Sequence, residues 1–285
     1  MKSISAFSVG PRRILARANL LFWLLAVFGM ILVFVGARFG LILALGLALG
    51  MTLEGLRFGF AGPWRAMILR REPAGLVAQF LAIGAVSIIA FPLLESNPVE
   101  LVGAHAPIGV AMVGGAFIFG LSMQIVLGCG SGTLVNAGSG NPIGLLVLPF
   151  FAIGSFGGAY HLDWWVDLGT MQILTMTGLL GPLAGLGVTL LGLSIITLLA
   201  LKWAPPENRI IPKHLWIAAV TVAALAILHL IVSGQPWGVV YGLGLWVAKA
   251  TQLFNFDLTG SLFWSAHSQQ FHISGVYTIV FYYYI

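Results

Sequence analysis

The sequence predicts an all-α polytopic membrane protein with roughly seven to nine hydrophobic helices. Hydrophobic residues make up 59% of its 285 residues and charged residues only 7%. The mean hydropathy is +1.02. A water-soluble protein of this length forms its core with a much lower share of apolar residues. The 37 glycines are typical of membrane helices, which pack closely through small side chains. A single cysteine excludes an intramolecular disulfide, a Cys-x-x-Cys redox pair and a four-cysteine metal site.

Apolar windows of roughly 16–25 residues, long enough to cross or nearly cross a bilayer, follow one another along most of the chain. They predict membrane segments at residues 20–35, 41–53, 75–94, 107–127, 143–160, 179–203, 215–232 and 239–254. The second segment is short, and the apolar end at 276–285 is too short to span. No small-x-small cleavage site follows the first segment, so we expect a retained span rather than a signal peptide.

The distribution of positive charge predicts that the N-terminus is cytoplasmic. With that orientation most basic residues fall on the cytoplasmic side, as the positive-inside rule requires. They are Arg12, Arg13, Arg17, Arg57, Arg65, Arg70, Arg71, Lys202, Arg209 and Lys213. The predicted outer loops are mainly acidic. They carry Glu95, Glu100, Asp163 and Asp167 together with His105, and Arg38 is their basic residue. The net charge of +5 therefore orients the chain in the lipid bilayer, and we expect no nucleic-acid partner.

Two stretches of the chain align at a constant offset of 70 residues. Residues 50–54 correspond to residues 120–124, so that Glu54 aligns with Gln124 and Gly59 with Cys129. We predict a pseudo-symmetric repeat with units at about 39–94 and 107–160. Each unit consists of a helix, a glycine-rich break, a short polar segment and a second helix. Interrupted helices in corresponding positions point to the binding site of a transporter.

The stretch Leu127–Thr133, with the sequence Leu-Gly-Cys-Gly-Ser-Gly-Thr, is the strongest candidate site. Lipid cannot satisfy the backbone groups of such a loop, which therefore faces protein or a wet cavity. Its glycines allow a ligand to approach the Cys129 thiol, and a helix that starts near Ser131 would direct its N–H groups at an anion. The predicted substrate-binding residues are Glu54, Gln124, Gly128, Cys129, Gly130, Ser131, Gly132, Thr133 and Asn136.

Some of these residues have structural alternatives. Cys129 would otherwise be a small buried hydrophobe, and Asn136 a residue that caps or turns the chain. Glu54 is an ionisable group inside an apolar helix, which makes it a functional candidate or one half of a self-contained pair with Arg57. We interpret His229 as a hydrogen-bonded core residue. We interpret as topology anchors the arginines that follow the first repeat helix: Arg57, Arg65, Arg70 and Arg71.

These residues resemble the YeeE/YedE family of bacterial inner-membrane proteins, which take up sulfur compounds and whose best-understood activity is thiosulfate import. The resemblance is carried by residues 119–134, residues 137–141 and, less specifically, residues 57–65. It implies an hourglass-shaped, multi-pass transport domain over residues 1–265, in which Cys129 matches one of the cysteines that hydrogen-bond thiosulfate in turn. It also implies a small sulfur-containing anion as substrate, a TusA-like sulfur-carrier protein as partner and no cofactor.

Three features depart from the family pattern. The chain has one cysteine where members often have several, and Gly59 stands where an earlier one is expected. The acidic residue common near Ser139 is missing. We expect that the second half, with its own Gly-Cys loop, is missing and that residues 266–285 form a divergent tail.

The sequence therefore predicts a non-enzymatic permease that imports thiosulfate or a related small anion. Two alternatives stay open. One is a membrane sulfurtransferase that uses Cys129 as sulfur acceptor, and the other is a truncated membrane protein that does not transport.

Overall fold

The computed structural model describes residues 11–254 and 256–267. Within these residues the chain folds into helices. Two of the loops between them form one isolated antiparallel β-bridge, between Gly109 and Thr170. In chain order the α-helices are α1 (Pro11–Phe34), α2 (Ala37–Gly55), α3 (Ala61–Arg70), α4 (Ala74–Ser96), α5 (Val110–Val126), α6 (Gly130–Gly138), α7 (Pro142–Tyr160), α8 (Leu162–Asp167), α9 (Met176–Leu180), α10 (Pro182–Trp203), α11 (Lys213–Ser233), α12 (Val239–Leu253) and α13 (Leu262–Ala266). The predicted all-α architecture is confirmed. The predicted tail at 266–285 lies, apart from its first two residues, outside the described residues.

Six helical segments of the described chain are long and apolar enough to cross a membrane. They are α2, α4, α5 together with α6, α7, α10 and α11. In addition, α1 contains the shorter apolar stretch Phe22–Phe34, and α12 has 15 residues. Each membrane segment predicted from hydropathy thus corresponds to a helix.

Helix α2 is longer than the apolar window that predicted it. The window covered residues 41–53, whereas the helix runs from Ala37 to Gly55. The additional residues include Arg38 and Glu54, whose charges lower the hydropathy at both ends. Arg38 is accommodated at the helix start because its Nε donates a hydrogen bond to the Val232 carbonyl at 2.6 Å.

Small side chains allow the long helices to approach one another closely. Ala78 and Ala82 of α4 share a buried cluster with Ala219 of α11. Where α7 contacts α12, the Ser155 hydroxyl donates a hydrogen bond of 2.7 Å to an α12 carbonyl. A Cβ on Gly244 of α12 would lie only 2.7 Å from the same hydroxyl oxygen. These contacts fix α4 and α7, the two helices that follow the short helices α3 and α6.

Hydrogen bonds between loops mark two ends of the bundle, and the end that carries Arg70, Arg71 and Arg209 is called the basic end. At the basic end, Asn208 donates hydrogen bonds to the carbonyls of Arg70 and Arg71 at 3.3 and 3.4 Å. The Arg71 guanidinium also lies 5.6 Å from the centroid of the Trp203 ring. At the opposite end, the loop after α4 is hydrogen-bonded to the end of α11. That the basic end faces the cytoplasm stays a prediction.

Candidate functional site

Two helices end in the same way at corresponding points of the chain. Residues 56–60 separate α2 from α3, and residues 127–129 separate α5 from α6; we call them the first break and the second break. Arg57 (φ 51°) and Leu127 (φ 58°) adopt the left-handed backbone conformation, which costs a residue with a side chain about 1–2 kcal/mol. They lie 70 residues apart, which is the offset of the predicted repeat. The two breaks therefore share a left-handed residue at corresponding positions, while the repeat units stay a prediction.

The two breaks border a common cavity of about 400 Å³, which we call the break cavity. The segment around the first break contributes Leu53, Glu54, Arg57, Phe58, Gly59, Phe60, Ala61, Gly62 and Pro63. The segment around the second break contributes Leu127, Gly128, Cys129, Ser131, Gly132, Val135 and Asn136. Segments that are distant in sequence thus converge on one concave site at the ends of two membrane helices, a position typical of transporter binding sites.

Most of the predicted site residues line the break cavity. They are Glu54, Gly128, Cys129, Ser131, Gly132 and Asn136. Three others lie outside its lining. Gly130 is buried, and a Cβ there would meet Val240 of α12 at 2.9 Å. Thr133 is 1% exposed, and the backbone carbonyl of Gln124 accepts a long hydrogen bond of 3.4 Å from Arg65.

The second break is held by close packing around Thr133. The Thr133 N–H donates to the Cys129 carbonyl at 2.8 Å, across the start of α6. A Cβ on Gly128 would lie 2.8 Å from Thr133 Oγ1 and 3.1 Å from its backbone nitrogen, so only glycine fits there. These contacts leave Cys129 half-buried at the cavity, with its Sγ 3.4 Å from Ser131 Oγ.

The first break is held by Gln79 of α4, a residue that the sequence pattern did not single out. Its Nε2 donates to the carbonyls of Gly59 at 2.6 Å and Phe60 at 3.2 Å. The side chain is buried, at 4% exposure. The sequence offers one signal for such a role, because Gln79 is an uncharged polar residue within the apolar segment 75–94.

The break cavity contains one basic and one acidic side chain, Arg57 and Glu54. Both are exposed, and the described part of the chain shows no ion pair between them. Arg57 lies beyond the end of α2 with left-handed backbone, so the pair does not have the helical i, i+3 arrangement. The self-contained pair considered above is therefore not formed, and Arg57, interpreted as a topology anchor, faces the site.

Two helices begin at the break cavity, α3 with ten residues and α6 with nine. The first N–H groups of a helix have no partner within that helix, and they carry the positive end of its dipole. In the described part of the chain, the N–H groups of Phe60, Ala61, Ser131 and Gly132 donate to no acceptor. Together with Arg57, these helix starts make the cavity suited to a small anion.

Other predicted residues lie away from the cavity. Arg70 donates two hydrogen bonds to Glu72, at 2.8 and 3.0 Å. That hydrogen bonding, and the attraction to the carboxylate, raise the pKa of Arg70. His229 is buried in the last turn of α11, with its Nδ1 3.1 Å from Ser233 Oγ and 3.3 Å from the Gln235 carbonyl. It is a hydrogen-bonded core residue, as predicted.

Comparison with known families agrees with this geometry. A family profile described as sulphur transport matches residues 56–280, which is more than half of the chain. The chain belongs to the sulphur transport (YeeE/YedE) family. No curated protein matches the chain. The range shared with the sulphur transport family includes both breaks and the Cys129 loop, and the six apolar helical segments make the chain a multi-pass membrane protein.

Proposed function

We propose that this protein is a permease that imports thiosulfate or a related small sulfur-containing anion through the break cavity. The observation that carries the proposal is the convergence of the Cys129 thiol, the Arg57 guanidinium and the starts of α3 and α6 on one cavity. Membership of the sulphur transport family supports a sulfur compound as the transported species.

The cavity offers the anion a replacement for its hydration shell. Arg57 supplies a full positive charge, and the N–H groups at the starts of α3 and α6 supply hydrogen bonds and partial positive charge. Cys129 adds a polarizable sulfur with a weak S–H donor, which suits the terminal sulfur of thiosulfate. Oxygen atoms of the anion would bind the N–H groups near Ser131 and Gly132.

Transport requires that the anion also leaves, so its binding must stay weak. Three features limit its strength. The Cys129 thiol is a weak donor, Arg57 is exposed and therefore screened by water and salt, and the carboxylate of Glu54 lies in the same cavity. Repulsion from Glu54 raises the free energy of the bound anion and favours its release.

The orientation and partner follow from the charge distribution. We propose that the basic end, which carries Arg70, Arg71 and Asn208, faces the cytoplasm of a bacterial cell, in keeping with the positive-inside rule. The break cavity then lies toward the cytoplasmic side of the inner membrane. A TusA-like sulfur-carrier protein on that side would receive the imported sulfur.

The test is uptake of labelled thiosulfate by a bacterial strain that lacks its own sulfate and thiosulfate importers. The strain expresses the full chain, its Cys129→Ala variant or an empty vector. We expect uptake by the chain and a loss of at least about tenfold in the variant, the effect of removing one hydrogen bond to a charged group.

Two outcomes would contradict the proposal. Uptake at the vector level, from protein shown to be in the membrane, would exclude thiosulfate as the transported anion. A persulfide on Cys129, seen as a mass increase of one sulfur atom and formed without uptake, would support the sulfurtransferase alternative instead.

A further inference from the structure

We propose that Gln79 is a positioning residue that directs backbone N–H groups of the first break into the break cavity and thereby makes the cavity selective for anions. This inference rests on the proposed function. Gln79 lies near the start of α4, buried at 4% exposure. Its Nε2 uses both hydrogens on the first break, donating to the Gly59 carbonyl at 2.6 Å and the Phe60 carbonyl at 3.2 Å.

Peptide geometry converts these two hydrogen bonds into an orientation of the break. In a planar trans peptide, the C=O of one residue and the N–H of the next point in opposite directions. The carbonyls of Gly59 and Phe60 point at Gln79, so the N–H groups of Phe60 and Ala61 point away from it. Phe60 and Ala61 line the break cavity, whereas Gln79 is not part of its lining. Both N–H groups are free of acceptors in the described part of the chain, so they are available to an anion.

The environment of Gln79 argues against a role in packing alone. Its Oε1 is buried and has no hydrogen-bond partner among the described residues. The side chain borders a second, apolar cavity of about 290 Å³, which Phe58, Ile83 and Val86 also line. An unpaired amide oxygen against apolar groups is unfavourable, and methionine would fill the same space without that cost. The two hydrogen bonds to the break are what methionine cannot supply.

The direction of the carbonyls determines which charge the cavity accepts. Carbonyl oxygens that face a pore coordinate cations, whereas backbone N–H groups bind anions. Without Gln79, the carbonyls of Gly59 and Phe60 lose their donors and are free to rotate toward the break cavity. The first break would then present acceptors where it now presents donors.

Cys129 provides a direct probe, because it lies in the break cavity and is the single cysteine of the chain. The purified full chain is treated with either of two methanethiosulfonate reagents, the negatively charged sulfonatoethyl or the positively charged trimethylammonioethyl compound. The ratio of their rates reports the electrostatic preference at Cys129, since the ionisation of the thiol affects both rates equally. This readout does not depend on thiosulfate transport.

We expect wild-type protein to favour the negatively charged reagent and Gln79→Met to lower the rate ratio about tenfold, as for the loss of one hydrogen bond to a charged group. Gln79→Glu should lower the ratio in alkaline medium, where the carboxyl group is ionised and cannot donate to the two carbonyls. In acidic medium the protonated carboxyl group can donate one hydrogen bond, so the ratio should recover within the same protein. A general loss of packing would not recover in this way, and the uncharged Gln79→Met variant separates the loss of the hydrogen bonds from the charge of the carboxylate.

Ser87→Ala is the matched control. Ser87 is also a buried polar residue of α4 and lines the same apolar cavity, but it donates only to Ile83 of its own helix, at 2.8 Å. Its substitution should leave the rate ratio unchanged.

A wild-type ratio in Gln79→Met, or a Gln79→Glu ratio that does not respond to acid, would overturn the inference. If wild-type protein shows the anionic preference but no thiosulfate uptake, the proposed function fails while the role of Gln79 stands.

Discussion

At the scale of single residues, the structure divides the Cys129 loop into two faces. Gly130, Thr133 and Ala137 form the buried side of α6, which packs on α7 and α12, while Ser131 and Asn136 on the other side line the break cavity. Both faces consist of small or weakly polar residues, so no hydrophobic period distinguishes them in the sequence. The glycine pattern therefore indicated the break between two helices, but it could not separate the buried Gly130 and Thr133 from the residues that line the cavity.

Arg57 was interpreted as a topology anchor, and Gln79 was not considered, for a different reason. Arg57 faces the cavity because of its left-handed backbone, and basic residues at helix ends usually serve orientation. Gln79 acts on a break that lies 19 and 20 residues earlier in the chain. Neither a local backbone conformation nor a contact across that distance is encoded in a hydropathy pattern.

Gly128 gives the residue-scale prediction. In Gly128→Ala the new Cβ would lie 3.1 Å from the Thr133 backbone nitrogen as well as 2.8 Å from its hydroxyl oxygen, so the break must shift and carry Cys129 with it. Overpacking of this kind costs about 1–3 kcal/mol, and we expect thiosulfate uptake to fall about tenfold or more. Uptake is measured per molecule of protein in the membrane.

Gly138→Ala is the control for that experiment, because Gly138 ends α6, the helix that follows Gly128, and a Cβ there meets no atom of the described residues within 4 Å. It should transport as wild type does. Full uptake by Gly128→Ala would show that the tight fit at Gly128 does not position Cys129.

At the scale of elements, the two breaks each contain a left-handed residue but are held by different means. The first is held by a side chain, Gln79, that reaches over from α4. The second is held by the close packing of Gly128 on Thr133 of α6. Helix α6 is in turn held by direct backbone contact with α7, since a Cβ on Gly144 would lie 2.7 Å from the Ala137 nitrogen and 2.8 Å from the Asn136 carbonyl carbon. The sequence predicted the element order of both units, because hydropathy and glycine placement determine it. Their different supports depend on tertiary contacts.

Gly144→Ala therefore tests the support of the second break. We expect the free energy of unfolding to fall by about 1–3 kcal/mol, because the clash is with backbone that cannot move aside. Thermal unfolding of the full chain in detergent measures the change. Gly154→Ala is the matched control on α7, where a Cβ meets nothing within 4 Å and alanine is the better helix former. Equal unfolding temperatures for both variants would contradict this account of the α6–α7 contact.

At the scale of the whole molecule, the packing of the helices brings the ends of α2 and α5 together at one cavity. Hydropathy predicted the helices, and the charges predicted which helix ends lie on the same side. The 70-residue offset indicated that the two breaks occupy corresponding positions. It did not predict that they border one cavity, because that depends on how α3 and α6 pack between the long helices. The cavity joins a permanent cation, free N–H groups and a thiol, and this combination is the basis of the proposed transport function.

The most direct test of that function is whether thiosulfate occupies the break cavity of the purified full chain. Cys129 is alkylated with a neutral maleimide in the presence of increasing thiosulfate, with potassium chloride at matched ionic strength as the control. We expect thiosulfate to slow the alkylation of Cys129 in a saturable manner, while chloride at the same ionic strength does not. Alkylation at an unchanged rate, at thiosulfate concentrations that saturate uptake, would contradict the claim that the transported anion binds beside Cys129.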